Sequence, residues 1–187
     1  MSAEDAEDGI LTLEPLIEAV REGVEKSGWE LSGLQKTTSH QFEGRWEGES
    51  TRSAYLFFHS PTAPEPVSVD VYLDETSRGL TGNLALVVDL VDLDDLGDPT
   101  EVLRELGRLS RRTFPEGYAT PLTLRLRLKD GSEEPGAAES EVRFKLRLPR
   151  AVIAEGPGAI RGLAGTAMSA FRGILGSVEL QRLIPQE

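Results

Sequence analysis

Between Trp29 and Leu93 the hydrophobic period changes to two in several segments, and that period restricts what the chain can become. Side chains of a β-strand point alternately to opposite faces, so a period of two marks strands with one buried and one polar face. Val67, Val69, Val71 and Leu73 alternate with Ser68, Asp70, Tyr72 and Asp74 in the clearest such segment. Ala54, Leu56 and Phe58 alternate with Ser53, Tyr55, Phe57 and His59, and Phe42, Gly44 and Trp46 alternate with Gln41, Glu43, Arg45 and Glu47. Leu80 to Leu93, LTGNLALVVDLVDL, is apolar on both faces in its middle, which predicts a central strand. Strands this close in sequence are expected to pair antiparallel. The link SPTAPEP holds Pro61, Pro64 and Pro66, which cannot donate to a ladder.

The apolar face of such a sheet needs a cover. Leu13, Leu16, Ile17, Val20 and Val24 recur at helical spacing, so a first helix is expected from about Pro15 to Ser27, with Gly28 as its left-handed stop. Asp98, Pro99 and Glu101 open a second: a capping carboxylate, proline in the first turn, and an acid placed to return the bond. It directs Val102, Leu103, Leu106 and Leu109 inward, presents Arg104, Arg108, Arg111 and Arg112 on its other side, and stops before Pro115. Two more strands follow, Leu122 to Lys129 and Val142 to Leu148, joined by the polar loop DGSEEPGAAES. A last helix, about Pro157 to Leu175, carries Leu163, Ala167, Ala170, Phe171, Ile174 and Leu175 on one face and Arg161 and Arg172 opposite. Glycine costs about 1 kcal/mol relative to alanine inside a helix, so the flank of Gly162, Gly165, Ser169 and Gly173 suggests close approach of another backbone, by helix pairing in a homodimer or by packing on the sheet. The expected architecture is α+β, an antiparallel sheet of about six to seven strands with N-terminal, middle and C-terminal helices packed on it. Residues 1–11 are expected to be a disordered acidic N-terminus, 12–180 a single domain and 181–187 a C-terminal tail.

Charge narrows the function classes. The chain is net -12 at pH 7 and contains no cysteine, which excludes disulfides, thiolate metal sites and cysteine nucleophiles and argues against nucleic-acid binding. Residues 1–100 hold six bases against twenty-one acids, whereas residues 101–187 hold fourteen against eleven. The two parts attract each other, so the split is read first as intramolecular balance and second as a binding face. If the fifth and sixth polar-apolar strands pair, Arg125, Arg127, Lys129, Arg143, Lys145 and Arg147 form one basic patch. An acidic start with no apolar stretch matches neither a secretory nor a transit signal, so a cytoplasmic location is expected. A membrane role is not expected, because two arginines make a thin polar face on the last helix.

Catalytic patterns fail on spacing. Asp89 to Asp98 holds five carboxylates, but a calcium loop begun at Asp92 puts Leu96 at its fifth position. Glycines 156, 158 and 162 follow a short apolar run, yet their GxGxxxG spacing lacks the alternating α/β series of a dinucleotide fold. His40 and His59 are surface positions without an evident partner; Ser60, adjacent to His59, points the other way on a strand. No catalytic, cofactor or metal residue is assigned, and no cofactor is expected.

The order helix, several antiparallel strands, helix, two strands, helix resembles the α+β fold of type III secretion chaperones and the related bacterial sensory-transduction regulators. SVDVYLD, NLALVVDLVDL, DPTEVLRELGRLSRR, LTLRLRLKD and EVRFKLRLP carry the resemblance, which covers roughly residues 13–176. It implies a non-catalytic, chaperone-like or regulatory protein: a small acidic dimer that binds a partner polypeptide along its sheet or helix groove. Arg104, Arg108, Arg111, Arg125, Arg127, Arg143, Lys145 and Arg147 are the candidate partner-binding residues. The alternatives are a small-molecule or lipid-binding domain or an enzyme, with an apolar pocket between sheet and helices and His40 or His59 at its mouth, and a membrane-surface binder using the last helix.

Overall fold

A computed structural model describes residues 12–39, 51–90, 97–118, 122–125 and 140–184. In chain order the elements are α1 (Leu13–Glu25), β1 (Glu30–Ser39), β2 (Thr51–His59), β3 (Val67–Thr76), β4 (Gly79–Asp89), α2 (Pro99–Thr113), β5 (Thr123–Arg125), β6 (Glu141–Arg147), α3 (Arg150–Glu155), α4 (Pro157–Leu175) and α5 (Val178–Gln181). The strands form one six-stranded sheet in the order β1-β2-β3-β4-β6-β5, and every neighbouring pair is antiparallel. The α+β architecture therefore follows the period-two pattern. β4 lies between β3 and β6, and Leu84 to Val88 are buried on both of its faces, as its double-sided apolar run predicts.

One face of the sheet carries the core. Leu56, Phe58, Val69, Val71, Leu84, Leu86, Phe144 and Leu146 are buried there with apolar residues of all five helices in one cluster. These side chains fill the interior of the layer between sheet and helices, and a pocket of about 510 Å³, lined by Trp29, Ser60, Pro61, Ala63, Arg172 and Leu175, opens where the α1–β1 turn and the β2–β3 loop meet the end of α4. The helices stack on each other as well as on the sheet, and α1 runs along α4. Their crossing is tight at Gly23: a Cβ there would lie 2.6 Å from the Ala164 Cβ and 3.0 Å from the Arg161 carbonyl oxygen. Arg161 pairs with Glu22 across the same seam at 3.3 Å, in a solvent-exposed contact.

α2 begins as its sequence predicts, with the Asp98 carboxylate accepting from the Thr100 backbone N–H at 2.9 Å. Glu101 turns instead to Arg104, at 2.5 Å. Leu103, expected inward, is 39% exposed, because the buried stripe runs through Val102, Leu106 and Leu109. The apolar run after β6 is the short helix α3 rather than strand. It ends at Gly156, whose φ of 104° breaks the axis before α4 begins at Pro157; only glycine adopts that backbone readily. The domain also passes its expected end at 180. Leu180, Leu183 and Ile184 are buried in the common core, so residues 181–184 belong to the fold rather than to a tail. Residues 1–11, the expected strand at 41–47, residues 91–96 and residues 126–139 lie outside the described residues.

Candidate functional site

The second face of the sheet is built from the polar half of the alternation. Strand register aligns its side chains in rows that cross the strands. Gln35 pairs with Tyr55, Tyr55 with Tyr72, Tyr72 with Asn83, and Asn83 with Arg147. Four strand spacings of about 4.8 Å make this row about 19 Å long. The rings of Tyr55 and Tyr72 touch, with centroids 4.9 Å apart and planes inclined at 47°. Ser53 donates to Asp74 at 2.7 Å and lies 3.5 Å from the Tyr72 hydroxyl. The next row runs Phe57, Asp70, Ala85, Lys145. The five described helices bury their apolar residues in the core on the other side, and that core does not include Ala85 or Val87. Among the described residues, therefore, no helix covers this face.

Arg143 explains why Ala85 and Val87 are nonetheless buried. It stands beside Val87 on β6 and reaches over β4 to Asp70 on β3, at 3.6 Å, while its Nε donates to Glu141 at 2.8 Å. The positions of Val87 and Ala85 lie between Arg143 and Asp70 in the register, and long cationic residues commonly lay their stems over apolar neighbours. Burial beneath this bridge raises the Asp70 carboxyl above its ordinary range, with Arg143 and the Ser68 hydroxyl acting in the opposite direction. Arg125 also turns to Glu141, at 3.4 Å. Two of the four described residues of the expected basic patch are thus balanced by acids of the same face.

Arg147 behaves differently. Together with Tyr72, Thr81, Asn83, Pro149 and Arg150 it lines a groove of about 540 Å³ at the β4–β6 end of the face. The Thr81–Asp74 pair lies one row beyond, and the Asp74 carboxylate is held by Ser53.

The candidate arginines do not form one surface. Arg125, Arg143, Lys145 and Arg147 share the open face, confirming that β5 and β6 pair. Arg104, Arg108 and Arg111 are exposed on α2, whose buried side belongs to the helical layer. Arg127, Lys129 and His40 fall outside the described residues. On α4, Gly162 and Gly165 have no atom within 4 Å of a Cβ position, whereas a Cβ at Gly173 would lie 3.2 Å from Thr113 Cγ2. Ser169 is exposed. Close approach within the chain falls at Gly23 on α1 and leaves most of this flank open. His59 is exposed, opposite Glu30 of β1.

Sequence reasoning placed acids and aromatics of β2–β3 and bases of β5–β6 on separate strands. It missed that they share a face, because the order β3-β4-β6 depends on β6 pairing across β4, a non-local contact with no local signal. Among the described residues no group of three or more His, Asp or Glu could hold a metal ion, and no helix is long and apolar enough to cross a membrane. The fold and site define a two-layer α+β domain with helices on one face of its sheet and a polar, aromatic surface on the other. Comparison of the chain with protein-family models, curated proteins and solved structures finds no match.

Proposed function

We propose that the protein is a non-catalytic protein-binding module, chaperone-like or regulatory, acting as a small acidic homodimer that receives a partner polypeptide on the open sheet face. The observation that carries this reading is the row Gln35, Tyr55, Tyr72, Asn83, Arg147. Tyrosine supplies large contact area with few rotatable bonds and a polar tip, and arginine supplies directional donors; both are enriched at protein interfaces. A row about 19 Å long matches an extended segment of about six residues at about 3.3 Å each.

We infer dimerisation alongside it. The uncovered flank of Gly162, Gly165 and Ser169 supports it, since small residues allow helices to approach closely. Sedimentation velocity at increasing concentration checks it. Twice the 20.4 kDa chain mass is expected, and a strict monomer refutes the dimer.

Affinity capture from the source cell, followed by peptide identification, tests partner binding. Wild type and a Tyr55→Ser/Tyr72→Ser variant are compared. A polypeptide enriched by wild type and lost from the variant is expected. No enriched polypeptide, or equal capture by both, refutes the reading.

A further inference from the structure

The groove at the β4–β6 end of the open face has a lining of one electrostatic kind. Arg147 and Arg150 carry positive charge, Asn83, Thr81 and Tyr72 offer neutral donors, and no carboxylate lines it. In an acidic chain this is unusual. Arg21, Arg52, Arg104, Arg112, Arg125, Arg143, Arg161 and Arg182 are each paired with an acid of the same chain. Arg147 and Arg150 have no such partner among the described residues, a state they share with Arg78, Arg108, Arg111 and Arg172, and both are exposed; what sets them apart is that they line one groove together. Asp74, the acid one row away, is engaged by Ser53. The groove is continuous with the tyrosine row, since Tyr72 belongs to both.

We propose that this groove is an oxyanion site for an acidic polypeptide segment, whose carboxylates are taken by Arg147 and Arg150 while the segment continues over Tyr72 and Tyr55. The inference rests on the protein-binding reading above and adds the chemistry of the partner. Guanidinium groups match carboxylates with two parallel N–H donors, and the Asn83 amide and the Thr81 and Tyr72 hydroxyls can donate to the remaining lone pairs. The net charge of -12 opposes an acidic partner at long range, so attraction comes from this groove and is confined to a short segment.

The test is fluorescence anisotropy with a labelled octapeptide of alternating glutamate and alanine, its glutamine counterpart, and inorganic phosphate as competitor. Three full-length proteins are compared: wild type, Arg147→Gln/Arg150→Gln, and Arg21→Gln/Lys26→Gln. The last removes the same charge from α1 and its C-cap, on the helical layer. All the substituted residues are solvent-facing or half-buried, and far-UV circular dichroism with a thermal melt verifies folding. Saturable binding of the glutamate peptide is expected, with little binding of the glutamine peptide. Loss of both groove arginines weakens it about tenfold, the scale of two charge-assisted pairs at an exposed site, and the α1 variant binds within about twofold of wild type.

Equal binding by the groove variant, or equal binding of the glutamine peptide, overturns the proposal. Binding of phosphate without the glutamate peptide also overturns it, in favour of a phosphate site. If neither probe binds, the oxyanion site is refuted, while a partner captured through Tyr55 and Tyr72 would leave the protein-binding reading standing.

Discussion

Replacing Gly23 with alanine adds one methyl group where α1 crosses α4. The new Cβ would sit 2.6 Å from the Ala164 Cβ, 3.0 Å from the Arg161 carbonyl oxygen and 3.2 Å from the Arg161 Cα. Carbon atoms in van der Waals contact normally stay about 3.5–4.0 Å apart, and neither a Cβ nor a backbone atom can swing aside. The helices must separate. Alanine also removes the helix-propensity cost of glycine, a gain of about 1 kcal/mol, whereas overpacking costs about 1–3 kcal/mol. The sum is a net change between neutral and about 2 kcal/mol destabilising.

Gly107 on α2 provides the matched control, because nothing lies within 4 Å of its Cβ position. Gly107→Ala therefore keeps the gain without the clash, and the two substitutions should differ by about 1–3 kcal/mol. Urea denaturation measures the difference, and in a chain of this size each kcal/mol also moves Tm by about 2–4 °C. Equal or greater stability of Gly23→Ala than Gly107→Ala would refute the close helix crossing, and with it the stacking that keeps the helices on one side of the sheet.

Other substitutions probe separate links. Asp98→Ala removes the α2 cap and should cost about 1 kcal/mol, with Asp98→Asn retaining most of it, as read by urea midpoints. Gly82→Ala places a Cβ 2.7 Å from Leu73 Cδ2 and 2.8 Å from the Tyr72 carbonyl oxygen, and should cost at least about 2 kcal/mol in the same assay. Asp70 concerns pH. Its folded pKa is raised by burial, so the folded state holds the proton more tightly and ionisation costs stability at neutral pH. Asp70→Asn should then match or exceed wild type at pH 7, and the difference should close as pH falls through the raised pKa. A large loss at pH 7 would show instead that attraction to Arg143 outweighs burial.

Elements whose burial is regular were legible in the sequence. β3 and β4 pair from Val67 with Val88 to Thr76 with Gly79, and α4 spans Pro157–Leu175 as its glycine and proline boundaries imply. β1 was not legible: Glu30–Ser39 is mostly polar and exposed, and it is held by a register with β2 that no local pattern encodes. α3 and α5 were missed for a related reason. Six and four residues are too short to show a helical period, and they are stabilised by burying Ile153 and Leu180 in a core assembled from distant segments. The site divides along the same line. Tyr55, Tyr72 and Arg147 could each be assigned to the polar side of a strand. Their common row could not, because it depends on strand order and register.

The central claim is that a polypeptide docks on the sheet face opposite the helices. Its most direct test is photo-crosslinking in the source cell with p-benzoylphenylalanine placed at position 55 on the open face or at position 103 on α2. Both native side chains are solvent-exposed, Tyr55 at 37% and Leu103 at 39%, so accessibility is matched and location differs. The expected result is a discrete protein adduct from position 55 that is absent from position 103. An adduct from position 103 alone would contradict it and move the binding surface to the helices.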